Sequence, residues 1–206
     1  MTTHRIILAS GSPRRKELLG SLGVDFTVIK PDVDEKSFDL AHCTPAEKVC
    51  FLADVKAKAV FEKHSGNIVI GADTLVALNN AIFEKPDDEA DALRMLKALQ
   101  GTTHTVYSAI AVYHPDGRHV CDYLATDVTF IPMSDEHIRR YIATGEPMDK
   151  AGAYAIQGHG SVQIEKINGC YFNVVGMSLY LLDQLFARLG ESLLSAKTPA
   201  FSDYPY

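Results

Sequence analysis

Four apolar residues, Ile6-Ile7-Leu8-Ala9, run into Ser10-Gly11-Ser12-Pro13-Arg14-Arg15, after which Leu18, Leu19 and Leu22 recur at helical spacing. A stretch written this way has few conformations open to it. The apolar run predicts a short buried strand. Ser12 stands where an N-cap belongs and Pro13 where a first helical residue belongs, with Gly23 as the stop. The chain therefore begins as strand, tight loop and helix, and Arg14 and Arg15 fall in the first helical turn. The N-terminal end of a helix favours acids by roughly 0.3–1 kcal/mol per charge. Two arginines there make sense if an anion sits in front of them and also takes the free N–H groups. The alternative is two solvated arginines behind an ordinary Ser-Pro cap.

Further along, Phe26–Ile29 predicts a second strand, and Lys30–Glu35 an acidic loop carrying Asp32, Asp34 and Glu35. Such a loop is either solvated surface or, at the end of a strand, a cation site. Thr44-Pro45-Ala46-Glu47 is a capping box. The helix behind it carries Val49, Leu52, Ala53, Ala57 and Val60 on one stripe, and Lys56 falls on the same stripe. A core-facing lysine must snorkel or meet an anion.

Residues 67–78 read as two apolar β runs around a Gly71-Ala72-Asp73-Thr74 break. A carboxylate between buried strands is costly unless paired or metal-bound, so Asp73 is either a turn cap or a functional acid, and the second is favoured. Asn79-Asn80 predicts a hairpin turn into the strand Ala81–Phe83. Lys85 then lies between that strand and a helix with Leu93, Leu96 and Leu99. Two β-rich runs, residues 106–113 and 119–130, predict a long hairpin about Pro115-Asp116-Gly117. Ser134 caps a short helix. Residues 145–160 have no clear period and read as a functional loop, in which the Gln157 amide suits the edge of a base. Residues 161–167 and 170–175 predict another hairpin, turning at Asn168-Gly169. The last helix ends at Gly190.

The chain is long enough for one sizeable core or two small lobes. Residues 1–190 read as a single domain and residues 191–206 as a loosely ordered tail. A net charge of -6 argues against a nucleic-acid-binding face. No apolar run reaches the roughly 20 residues of a membrane span, and no export signal is apparent. Cys43, Cys50, Cys121 and Cys170 lack C-x-x-C spacing, which predicts reduced thiols in a cytoplasmic protein and argues against a cysteine-type zinc site.

Taken together, Ser10–Arg15, Gly71–Thr74, Glu84-Lys85-Pro86, the Gly145–Gly158 stretch and Tyr171–Gly176 resemble the Maf family of nucleoside triphosphate pyrophosphatases over roughly residues 4–190. The resemblance implies an α/β fold: a long mixed sheet flanked by helices in two lobes around a central cleft, as in the inosine triphosphate pyrophosphatases. It implies hydrolysis between the α- and β-phosphates with Mg²⁺ or Mn²⁺, and a homodimer. By position, Asp73 matches the catalytic acid, and Glu35 joins it at the metal. Ser10, Arg14, Arg15, Lys56 and Lys85 match the triphosphate surround, while Arg14, Thr74 and Gln157 match positions linked to base choice. Residues 149–154 with Gln157 are similar to the dTTP- and UTP-directed subgroup, with modified pyrimidine nucleotides as further substrates. Ala155 departs from the expected glycine. The competing readings are an enzyme directed at 7-methyl-GTP and a non-catalytic nucleotide-binding regulator of cell division.

Overall fold

The computed structural model describes residues 4–194. Seven strands form one mixed sheet: β1 (Ile6–Ala9), β2 (Phe26–Val28), β3 (Ile68–Leu78), β4 (Ala81–Phe83), β5 (Thr103–Tyr113), β6 (His119–Phe130) and β7 (Ile164–Asn168). Their order is β2-β1-β3-β5-β6-β7, with β4 paired to β3 off this path. The β1–β2 and β1–β3 pairs are parallel and all the others antiparallel. Six helices flank the sheet: α1 (Pro13–Gly20), α2 (Pro45–Phe61), α3 (Glu89–Leu99), α4 (Asp135–Ile142), α5 (Tyr171–Val175) and α6 (Leu179–Arg188).

Side chains alternate across β3, and the alternation divides the core. Ile68, Ile70 and Ala72 pack with Leu18, Leu19, Leu182 and Phe186 on one face. Farther along the same face, Val76 joins Phe83, Leu96, Phe130 and Tyr154 in a second cluster. Val69, Leu75 and Ala77 point the other way, against the Val49, Ala53, Ala57 and Val60 stripe of α2. Thr74 thus lies where the two clusters of one face part, and Asp73 faces α2.

The strand–loop–helix start is as expected, except that α1 ends at Gly20 and Ser12 occupies the N-cap without its hydroxyl capping. The Thr44 capping box forms in full. Two expectations fail. Gly71–Thr74 is no break, because β3 runs through it unbroken for 11 residues. The chain need not leave the sheet at Asp73, since a cation from α2 meets the carboxylate there. Residues 170–175 form no hairpin strand but the helix α5. There the buried Asn173 donates from Nδ2 to the Val106 and Leu124 carbonyls and to Thr126 Oγ1. Those bonds to β5 and β6 outweigh the local β preference of the Val174-Val175 pair.

Residues 145–163 are also more ordered than their glycine content suggests. They form 3-10 turns at Glu146–Asp149, Ala151–Ala153 and Gly158–Gln163. The Glu146 carboxylate pins them, accepting from Tyr141 OH at 2.9 Å, Gly160 N at 2.8 Å and His159 N at 2.9 Å. Of the tail, Leu193 is buried in the first cluster and Glu191 lies beside His114; the expectation for residues 195–206 lies outside the described residues. No helix among the described residues is long and apolar enough to cross a membrane.

One core group makes stability pH-dependent. His104 is 1% exposed, packed edge-on against Phe130 and Tyr154, with Nε2 2.8 Å from Tyr154 OH. Burial lowers its pKa from 6.5 to about 4. The native ring is therefore neutral. Its share of the stability is complete above pH 6.5 and is lost as pH falls toward 4, by about 3 kcal/mol at that point. His104→Gln, which keeps a donor and an acceptor for Tyr154, is expected to flatten the urea midpoint between pH 6.5 and 4; an unchanged slope would assign the acid sensitivity elsewhere.

Candidate active site

Strands β1 and β3, helices α1 and α2, and the segments around residues 30–41, 84–87 and 148–157 enclose a cleft of about 1220 Å³. Ser10, Arg14, Arg15, Glu35, Lys56, Asp73, Thr74, Lys85 and Gln157 all line it. The sequence-predicted residues, drawn from positions 10 to 157, therefore share one cavity.

Asp73 and Lys56 form its floor. Lys56 rides on the core stripe of α2 and reaches Asp73 Oδ1 at 2.7 Å and Glu35 Oε2 at 2.9 Å. It does not snorkel past the sheet: the lysine meets an anion, and that anion is a pair of carboxylates. Gly71, two residues before Asp73 on the same face, is what lets α2 come this close. A Cβ there would lie 2.7 Å from both the Ala57 nitrogen and its Cβ, and nearer still to the Ala53 carbonyl oxygen. The Asp73 carboxyl is pushed up from the ordinary carboxylate range by burial, against the opposing pull of Lys56 and Arg15. It is thus paired rather than an isolated buried acid, and it is held where a proton acceptor or metal ligand is useful.

A second network fixes the opposite face. Arg15 donates from Nε to the Gly176 carbonyl at 2.9 Å, from one terminal nitrogen to Ser10 Oγ at 3.3 Å, and from the other to Thr74 Oγ1 at 3.0 Å. The Gly176 carbonyl also lies 3.1 Å from both Thr74 Oγ1 and Ser108 Oγ. The N-terminal loop, the middle of β3 and the residue following α5 are thereby locked together. A lysine at position 15 could satisfy only part of this fork. Arg15→Lys is expected to lower unfolding stability by about 1–3 kcal/mol, from acceptors left unpaired, with the cleft loosened. Urea denaturation checks this, and a parental midpoint would mean the fork is dispensable.

Arg14, by contrast, is free of the sheet and lies 3.7 Å from Asp149 on the facing segment, where Asp149 also pairs with Lys150. Lys85 and Gln157 are exposed at the rim. Three further contributors carry little or no signal of their own in the sequence. Ser108 is buried and hydrogen-bonds to the Asp73 carbonyl at 3.1 Å; it stands opposite Thr74 in the β3–β5 register, the one signal that could have found it. Lys48, one turn into α2, holds Glu84 at 2.6 Å across the cleft. The Gly176 carbonyl carries no side-chain signal at all.

The Maf-like protein family model matches residues 5–189 of this chain. A dTTP/UTP pyrophosphatase of Dictyoglomus turgidum is 47% identical over 190 residues, spanning 92% of this chain and 98% of that protein. A dTTP/UTP pyrophosphatase of Clostridium botulinum strain 657 is 45% identical over 192 residues, with 91% and 98% covered. Among solved structures, the Staphylococcus aureus Ham1 protein aligns over 78% of this chain and 79% of its own, at 17% identity and a TM-score of 0.43. With the family model spanning nearly all the described residues and relatives of this identity covering nine tenths of its length, the chain belongs to the Maf family.

Proposed function

We propose that the chain is a nucleoside triphosphate pyrophosphatase acting on dTTP, UTP and modified pyrimidine triphosphates, with nucleoside monophosphate and pyrophosphate as products. The observation that carries this reading is the buried Asp73 carboxylate, set in one cleft with Arg14, Arg15, Lys56 and Lys85. A cleft for a triphosphate must supply cations. An acid amid them is of little use to simple binding and of direct use to hydrolysis. The relatives' names point the same way.

Asp73 and Glu35 are the residues that would hold a divalent cation. They fit one: two hard oxygen donors from separate elements converge on a single cationic point, here the Lys56 ammonium, and open onto the cleft. Mg²⁺ takes one or two carboxylates and completes its shell with water and phosphate oxygens. When bound, Mg²⁺ or Mn²⁺ supplies charge neutralisation and a more acidic water.

The chain's own groups do the rest. Asp73 accepts a hydrogen bond from the attacking water and aims it at the α-phosphorus. As the water oxygen bonds to phosphorus its proton passes to the Asp73 carboxylate, the bond to the α–β bridging oxygen breaks, and pyrophosphate leaves with that electron pair. Arg14 and Lys85 approach the phosphate oxygens from the rim, the first as a fork and the second as a point charge. Lys56 sets the Asp73 carboxylate, and Arg15 fixes the hydroxyls of Ser10 and Thr74 while adding its charge to the cleft. Gln157 presents a donor and an acceptor to the base. The same reading takes the protein to be a cytoplasmic homodimer, in keeping with four cysteines that are all free thiols.

The test is release of pyrophosphate with Mg²⁺ or Mn²⁺ across UTP, dTTP, CTP, 7-methyl-GTP and modified pyrimidine triphosphates. Pyrophosphate from UTP and dTTP is expected. Preference for 7-methyl-GTP would overturn the base assignment, and orthophosphate alone, or no product, would overturn the reaction.

A further inference from the structure

A second cluster of metal-ligating side chains lies at the far edge of the molecule, outside the cleft. His4 stands just before β1, His114 just after β5, and Glu191 just after α6. One ligand atom from each falls within 4.8 Å of the other two. We infer that His4, His114 and Glu191 bind a divalent transition metal of the zinc class, joining the two ends of the described chain.

The chemistry of the donor set is the first argument. Two imidazoles and a carboxylate suit Zn²⁺ and its neighbours, whereas Mg²⁺ wants oxygen alone. Two histidines and one glutamate, with water in the fourth position, are a recurring zinc set. Zinc ligands about 2.0–2.1 Å from the metal stand roughly 3.4 Å apart in a tetrahedron, so small side-chain adjustments close the cluster.

The groups behind the ligands are the second argument. His114 Nε2 faces Glu191 Oε1 at 3.2 Å, while its Nδ1 faces Asp116 Oδ1 at 2.8 Å. The Asp116 backbone N–H lies farther from Nδ1, at 3.3 Å, and would need that nitrogen unprotonated, so it competes with the shorter carboxylate contact. With the proton on Nδ1 donated to the Asp116 carboxylate, Nε2 offers its lone pair toward Glu191. This is the carboxylate–histidine arrangement that orients a metal-bound imidazole. Asp116 is itself fixed by Arg118, whose Nε donates to its Oδ2 at 2.7 Å, and Arg118 also donates to the Leu189 carbonyl at 2.9 Å, two residues before Glu191. His114 and Glu191 are both largely shielded, at 8% and 12% side-chain exposure, so the ligand positions are built into the fold. The ring of His4 meets that of His114 edge-on, 5.2 Å between centroids.

The experiment uses the untagged full-length protein and Zn²⁺ in competition with a chromophoric chelator, with Co²⁺ absorption as a second readout. One Zn²⁺ per chain is expected in the parent and in Asp73→Asn, which separates this site from the cleft. Glu191→Gln and His114→Ala are expected to abolish it, and the tetrahedral Co²⁺ bands with it. Asp116→Asn is expected to weaken it about 10- to 100-fold. If His114→Ala fails to fold, Glu191→Gln and His4→Ala decide the matter. No stoichiometric Zn²⁺, Zn²⁺ lost only with Asp73→Asn, or Zn²⁺ undiminished in Glu191→Gln would each overturn the assignment.

Discussion

Asp73→Asn is expected to fold like the parent and to lose turnover by about 10²–10⁴-fold, the range for a positioned acid or base. The amide keeps the shape of the side chain but neither accepts a proton nor carries the charge that a metal ligand needs. Removing one member of a buried ion pair usually destabilises by about 3–5 kcal/mol, because a bare charge is left behind. Here Glu35 remains 2.9 Å from Lys56 and is 47% exposed, so the ammonium keeps a partner with access to water. Stability should therefore fall by less than that range while activity collapses. Steady-state pyrophosphate release and thermal unfolding, measured on the same preparation, separate the two effects. Parental turnover would remove Asp73 from the chemistry, and an unfolded protein would mean that its charge is foremost structural.

Gly71→Val is expected to act in the opposite sense, on the fold first. The added atoms meet the backbone of α2 at Ala53 and Ala57, which cannot rotate away as a flexible side chain would. Overpacking of this kind costs about 3 kcal/mol or more, or roughly 6–12 °C in Tm for a domain of this size. Whatever relief is found must come from α2 moving off the sheet, and α2 carries Lys56, so activity should fall with stability. Gly66→Ala is the matched control, since nothing lies within 4 Å of a Cβ at that position. Equal melting temperatures for Gly71→Val and the parent would show that α2 is free to shift.

These expectations also mark what could be read from the sequence. The strand–loop–helix start, the capping box of α2 and the core-facing position of Lys56 were legible because each rests on residues near one another along the chain. The continuity of β3 was not. Asp73 looks like an interruption until its cation is seen to arrive from α2, 17 positions away. The helix α5 was hidden for a related reason: Tyr171–Val175 favours a strand locally, and the bonds that decide otherwise run from Asn173 to β5 and β6. The cleft residues from Ser10 to Gln157 could be named, but the partners of Arg15 could not. Ser108 gains its meaning only from its register opposite Thr74, and Gly176 acts through a backbone oxygen.

That oxygen has a consequence for how the protein comes into being. Arg15 is tied to a residue 161 positions downstream, and Thr74 to the same residue 102 positions downstream. While the chain is being synthesised, the N-terminal strand, its loop and α2 can all exist with the Arg15 fork unfilled. A nascent or prematurely terminated chain lacking residue 176 would thus have its acid and its cations but not the shared acceptor that joins Arg15, Thr74 and Ser108. The fork is complete only once the segment holding Gly176 has closed against the first helix.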